Sequence, residues 1–215
     1  DDARLGSVSW AAELIPPTNS AWVRQEAASV TFSDCRARVT MGPRVDVSGL
    51  VVDAQGTTPV TATVIATRRS GIPGRTTIST QVQTRASGEF LLSLPEGSYT
   101  VRVVPQSTGA DPGWPPLTTS VDVVATRKPG DTLVLRLARG AEVRGLVQTA
   151  IVEGIAGVKV RAVDPATGDL ISSVATTDRT GAFTLWLAGD VSAQATVRLL
   201  ADGGPLAVSL TRDVT

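Results

Sequence analysis

The 215-residue chain contains no histidine, one cysteine, one methionine, one tyrosine and three phenylalanines. Without histidine it lacks the commonest general base at neutral pH and the commonest zinc ligand, and a Ser-His-Asp arrangement is impossible. The single thiol, Cys35, cannot form an intrachain disulfide or a thiolate metal cage. It reads as a small, half-buried residue, because a reactive thiolate would need the activating base that is missing. Neither sign of charge predominates: Lys+Arg and Asp+Glu are 20 each. That balance offers no electrostatic footprint for nucleic acid or for an anionic membrane. Uninterrupted apolar runs are only a few residues long, so no transmembrane segment is expected. No catalytic residue, cofactor or metal is expected from this inventory.

What the chain does hold is Val, Ala, Leu, Thr and Ser, with 20 Gly and 13 Pro to make turns. Apolar residues alternate, as strands require. Phe90, Leu92 and Leu94 share one face, and Phe183, Leu185 and Leu187 share another. Tyr99, Val101 and Val103 form a third inward set, and Leu133, Leu135 and Leu137 a fourth, on a strand expected over 132–137. Turn signals such as Asp53-Ala54-Gln55-Gly56, Ala86-Ser87-Gly88 and Pro95-Glu96-Gly97 separate them. Strands punctuated in this way predict antiparallel sandwiches. Helical periodicity is weak throughout, and the best candidate helix is Ser20–Val30.

Compared with itself, the chain shows a repeat. Val47-Ser48-Gly49-Leu50-Val51 matches Val143-Arg144-Gly145-Leu146-Val147 at an offset of 96 residues. The segment from Thr84 to Phe90, with Gly88, matches Thr177 to Phe183, with Gly181, at an offset of 93. Thr100-Val101-Arg102-Val103 matches Thr196-Val197-Arg198-Leu199 at 96, and Pro116-Leu117 matches Pro205-Leu206 at 89. Shifting offsets are what loop insertions between fixed strands produce. A further strand is expected over 206–210.

The run Val47-x-Gly49-x-Val51, then Pro59-Val60, then Gly88-x-Phe90-x-Leu92-x-Leu94-Pro95-x-Gly97-x-Tyr99-x-Val101 resembles the carboxypeptidase regulatory-like domain. The first repeat matches nearly throughout. The second keeps Gly145, Gly181 and Phe183, but Ala188-Gly189-Asp190 replaces the Leu-Pro-x-Gly turn. The resemblance implies an all-β chain of tandem antiparallel seven-stranded transthyretin-like (Ig-like) sandwiches. Enzymes with that fold rely on histidines, or on a Tyr and His set around iron, which this chain lacks. The resemblance therefore implies an accessory module, not an enzyme, of a kind found in secreted and surface proteins.

Three regions are expected: a partial β segment over 1–44, a first sandwich over 45–140 and a second over 141–215. At the offset of 96, Ala37, Val39 and Met41 fall on Leu133, Leu135 and Leu137. Residues 31–41 thus read as the closing strand of a preceding sandwich, or as part of a donor segment. The second sandwich is expected to lack its own closing strand and to recruit one. Only Ala138–Glu142 separates the first closing strand from the second sandwich, too short for a flexible linker.

The candidate partner-binding residues are Trp186, Trp114, Trp10 and Trp22, because an exposed indole marks a protein contact or a sugar-stacking platform. Alternation places Trp186 on the outer face, between Leu185 and Leu187. The expected function is a non-catalytic scaffold, stalk or adhesin acting through other protein subunits or further repeats, with no nucleic acid as partner. The alternative is a carbohydrate-binding module that uses exposed Trp to hold a glycan. The start at Asp1-Asp2 fits removal of a signal peptide, hence an extracellular, periplasmic or outer-surface location.

Overall fold

The computed structural model describes residues 10–17, 20, 22–30, 36–70, 77–106, 113–126, 130–189, 197–202 and 210–214. Among them every regular element is a strand, so the chain is all-β. β1 (Trp10–Leu14) and β2 (Gln25–Val30) form an antiparallel pair of their own. The helix expected over Ser20–Val30 does not form. Its Gln-Glu-Ala-Ala run has good helix propensity, but pairing with β1 satisfies the same backbone groups and overrides a weak preference. Of the closing strand expected over 31–41, residues 31–35 lie outside the described residues, Arg36 forms an isolated β-bridge, and residues 37–41 belong to no strand. Cys35 lies outside the described residues.

Two sheets make the first sandwich. One runs β6-β3-β9, from β3 (Val45–Asp53), β6 (Glu89–Leu94) and β9 (Leu133–Leu137). The other runs β5-β4-β7-β8, from β4 (Ala62–Arg69), β5 (Thr77–Gln83), β7 (Gly97–Pro105) and β8 (Leu117–Val123). Every pairing is antiparallel except β3 with β9, which is parallel. Sixteen buried residues fill the space between the sheets, including the expected Phe90, Leu92, Leu94, Tyr99 and Val101. Leu135 and Leu137 enter the same core at 3% and 1% exposure.

The second sandwich has a pair, β10 (Ala141–Leu146) with β13 (Ala182–Leu187), facing a sheet ordered β12-β11-β14-β15. The latter holds β11 (Lys159–Val163), β12 (Ala175–Thr176), β14 (Val197–Asp202) and β15 (Leu210–Val214). Its core is thinner. Val158, Val160 and Leu185 are buried, while the expected Phe183 and Leu187 are only half-buried. The side chain of Val197 lies outside the description. The last strand is described from Leu210, so of the strand expected over 206–210 only the final residue is described, and Pro205 and Leu206 lie outside the described residues.

The repeated sequence builds repeated contacts. Gly49 sits opposite Phe90 and Gly145 opposite Phe183. In both pairs the ring covers the glycine so closely that a Cβ would overlap it. Gly88 (φ +77°) and Gly181 (φ +79°) then turn the chain into β6 and β13, each against a carbonyl, that of Val51 or Val147. Those carbonyl-bearing residues donate back, Val51 N to Gly88 O at 2.9 Å and Val147 N to Gly181 O at 2.8 Å. Thr84 and Thr177 each accept a backbone N–H on Oγ1 at 2.9 Å, from Ala62 and Val158.

Each sandwich also anchors one turn with an aspartate. Burial raises the Asp53 carboxyl, but bonds from Thr58 and Thr57 more than reverse this and leave it far below the usual range. Asp178 Oδ1 accepts the Thr180 hydroxyl at 2.7 Å and the N–H groups of Thr180 and Ala182, which also hold its carboxyl low. Tyr99 donates its hydroxyl to Pro95 O at 3.0 Å and so ties down the Pro95-Glu96-Gly97 turn. Burial pushes the Tyr99 hydroxyl's pKa up and so disfavours its ionisation, with Arg68 opposing.

Candidate functional site

The described tryptophans differ in exposure. Trp22 is 44% exposed. Trp10 opens β1, and its side chain lies outside the description. Trp114 and Trp186 are both half-buried, and the structure brings them to the same place, the junction between the two sandwiches.

The junction is built from three short pieces. The first is Gly113-Trp114-Pro115-Pro116, which leads into β8. Gly113 has a positive φ of 101°, and the Trp186 indole lies directly on it, where any Cβ would overlap the ring. Trp114 turns the other way and packs against the first core. The second piece is the link between β9 and β10, Ala138-Arg139-Gly140. Gly140 N donates to Gly113 O at 3.3 Å, and its Cα approaches the Leu187 carbonyl too closely for a side chain. The third is the stretch from Leu170 to Val174. Ser173 clamps it to β13: its N–H donates to Trp186 O at 3.0 Å, and its Oγ accepts the Trp186 N–H at 3.1 Å. Fully buried Ser172 accepts the Ala162 N–H at 2.7 Å and donates to its neighbour's carbonyl.

Arg102 crosses from one sandwich to the other. Alternation in β7 puts Val101 and Val103 inside and Arg102 outside. Its guanidinium donates to Leu170 O at 3.0 Å and stands 4.0 Å from the Asp169 carboxylate. A planar donor fork suits a carbonyl and a carboxylate presented side by side. The Arg102 Nε and the Trp114 indole N–H are buried and have no partner among the described residues. Between these groups runs a cleft bounded by Val104, Pro105, Trp114, Pro116, Leu170 and Val174. Its walls are mostly apolar and suit packing.

Sequence reasoning pointed to Trp114 and Trp186 but not to their meeting. It missed Arg102, Gly113, Gly140 and the 170–174 stretch. The signal for Arg102 was present, a charged residue on the outer face of a long strand, but nothing in the sequence names its partner 68 residues on.

Fold and junction together define the class: an all-β protein of face-to-face β-sandwiches. No family model matches the chain, and no curated protein does. Among solved structures, the Bacillus anthracis TIE protein is 12% identical, with 80% of this chain and 32% of that chain covered and a TM-score of 0.32. A Streptococcal ancillary pilin is 13% identical, with 94% of this chain and 70% of that chain covered and a TM-score of 0.34. The chain thus spans about a third of the length of the TIE protein. Likenesses of this size carry no inference about what the chain does.

Proposed function

We propose that the chain is a non-catalytic structural and interaction module. Residues 45–140 and 141–215 are two carboxypeptidase regulatory-like, transthyretin-like sandwiches in tandem, part of a secreted, periplasmic or surface-anchored bacterial protein. Their work is to hold protein partners at a set spacing and angle. The recurring Gly–Phe pairs and glycine turns support the tandem reading. The observation that carries the functional one is the junction. A three-residue link, an arginine reaching across and an indole seated on a glycine leave little room for one sandwich to swing against the other. In this reading Trp114 and Trp186 serve the junction, and Trp22 is left as a surface contact.

Small-angle scattering of the chain tests the proposal. The expected profile is fitted by one inter-sandwich angle, and Gly113→Val, which displaces Trp186, broadens the distribution. A native chain that needs a wide spread of angles would overturn the reading.

A further inference from the structure

β3 and β10 occupy the same place in the two sandwiches but have different neighbours. β3 lies between β6 and β9. β10 has β13 on one side and, among the described residues, nothing on the other. Which groups face that free side follows from the ladder. Val147 N bonds to Gly181 O, and the register then turns Gly145 and Val143 toward β13 as well. The intervening residues, Glu142, Arg144 and Leu146, direct their N–H and C=O groups outward. The core records the same gap. Phe90 is 6% exposed beside β9, whereas its counterpart Phe183 is half-buried, and Val143 and Val147 are half-buried where Val47 and Val51 are fully buried. An unpaired edge above a partly open core is a strand acceptor.

The first sandwich shows what fits. β9 is a short parallel strand with apolar residues at alternate positions, Leu133 opposite Gly49, Leu135 opposite Val51 and Leu137 opposite Asp53. The chain carries a second segment of this pattern, Ala37-Arg38-Val39-Thr40-Met41, 96 residues earlier. It enters β3 through Gly42-Pro43-Arg44, as β9 enters β10 through Ala138-Arg139-Gly140. These residues belong to no strand; Ala37, Arg38 and Thr40 are exposed, and Val39 and Met41 half-buried.

We propose that residues 37–41 of one copy of this chain add to the free edge of β10 in a second copy, as a parallel strand that closes the second sandwich. Transferring the β3–β9 register sets Ala37 opposite Gly145, Val39 opposite Val147 and Met41 opposite Thr149. Connectivity makes the exchange intermolecular. Gly42-Pro43-Arg44 tie residues 37–41 to Val45, one end of β3, whereas β10 follows from Leu137 beside Asp53, the other end of β3, so residues 37–41 meet the β10 edge of another copy. The contact is heterologous, and copies join head to tail. The proposal rests on reading the chain as an interaction module and supplies its partner, a second copy.

Sedimentation velocity at rising concentration tests this. The native chain is expected to gain mass stepwise. Val39→Asp spoils the donor. Leu146→Pro removes an outward N–H while leaving the bonds to β13, a position where an edge strand tolerates proline. Each variant alone is expected to stay monomeric, and a mixture of the two to double in mass and stop there. A native chain that is monomeric at every concentration, or a mixture that does not dimerise, overturns the proposal. Should either variant fail to fold, hydrogen exchange on the native chain decides. A synthetic peptide of residues 33–43 is expected to slow exchange at the Leu146 amide in dilute protein. A Leu146 amide already as protected as that of Leu50 at the lowest concentration would show that the edge is filled within one chain. Monomers that keep a single inter-sandwich angle would sink the strand exchange and leave the scaffold reading intact; assembly with a wide spread of angles would do the reverse.

Discussion

The two sandwiches use the same devices to different depth. Both place a phenylalanine over a cross-strand glycine, and both turn on a glycine of positive φ. Yet sixteen residues are buried in the first core against three in the second, among the described residues. The equivalents of Phe90 and Leu94 are only half-buried. The devices that fix register are local and survive in both. Core depth differs where β9 adds a strand to the first sandwich, a strand with no counterpart in the second among the described residues.

Truncating the two rings is the strongest way to sharpen that contrast. Phe90→Ala is expected to cost about 3–5 kcal/mol, the usual figure for a buried aromatic. Phe183→Ala should cost about half as much, because part of its surface is already wet. Chemical denaturation of the two variants checks this, and equal losses would mean that the second core is as closed as the first. The turn glycines should show no such asymmetry. Gly88→Ala and Gly181→Ala each force a Cβ against a carbonyl at positive φ, at about 1–3 kcal/mol. Melting curves of the pair should shift alike.

Acid separates the two by turn. The folded carboxyls of Asp53 and Asp178 lie below their unfolded values. Their stabilisation is therefore full above about pH 4 and is lost as pH falls through the folded values. Asp53→Asn should lower the urea midpoint at pH 7 and narrow the gap between pH 7 and pH 3, with Asp178→Asn doing the same for the second sandwich. An unchanged gap would show that these turns do not set the acid response. The smallest effect is expected where the copies diverge at one torsion. Gly56 takes a φ of 80° in the first sandwich, and Val152, 96 residues later, takes 66° in the second. Gly56 N and Val152 N close equivalent turns, on Asp53 O and Thr149 O, both at 3.0 Å. A β-branched residue is strained there, so Val152→Gly should raise stability by about 1 kcal/mol. Thermal unfolding would show the gain.

Much of the first sandwich could be read from residues alone, because alternation with period two names the buried face. Phe90, Leu92, Leu94, Tyr99 and Val101 all point inward as expected. Alternation does not name a strand's neighbour, which is why the parallel pairing of β3 and β9 is invisible in sequence. The same limit hid the junction: Trp186 was correctly turned away from its own core, but Gly113 lies 73 residues before it. Local composition misled at Gln25–Val30, where helix-favouring residues form a strand because β1 lies beside them.

The parallel β3–β9 pair also determines how the first sandwich answers a pull. Tension enters at Val45, the start of β3, and leaves at Leu137, the end of β9. Because the strands run the same way, the load drags them past each other lengthwise, and the five paired positions from Gly49–Leu133 to Asp53–Leu137 share it at once. The antiparallel β1–β2 pair, loaded through the ends of its hairpin, would instead peel open one bond at a time. Single-molecule stretching should therefore give a late, high rupture for residues 45–137 and an early, low one for residues 10–30. The strand that deepens the core is also the latch that a stretched chain would break last.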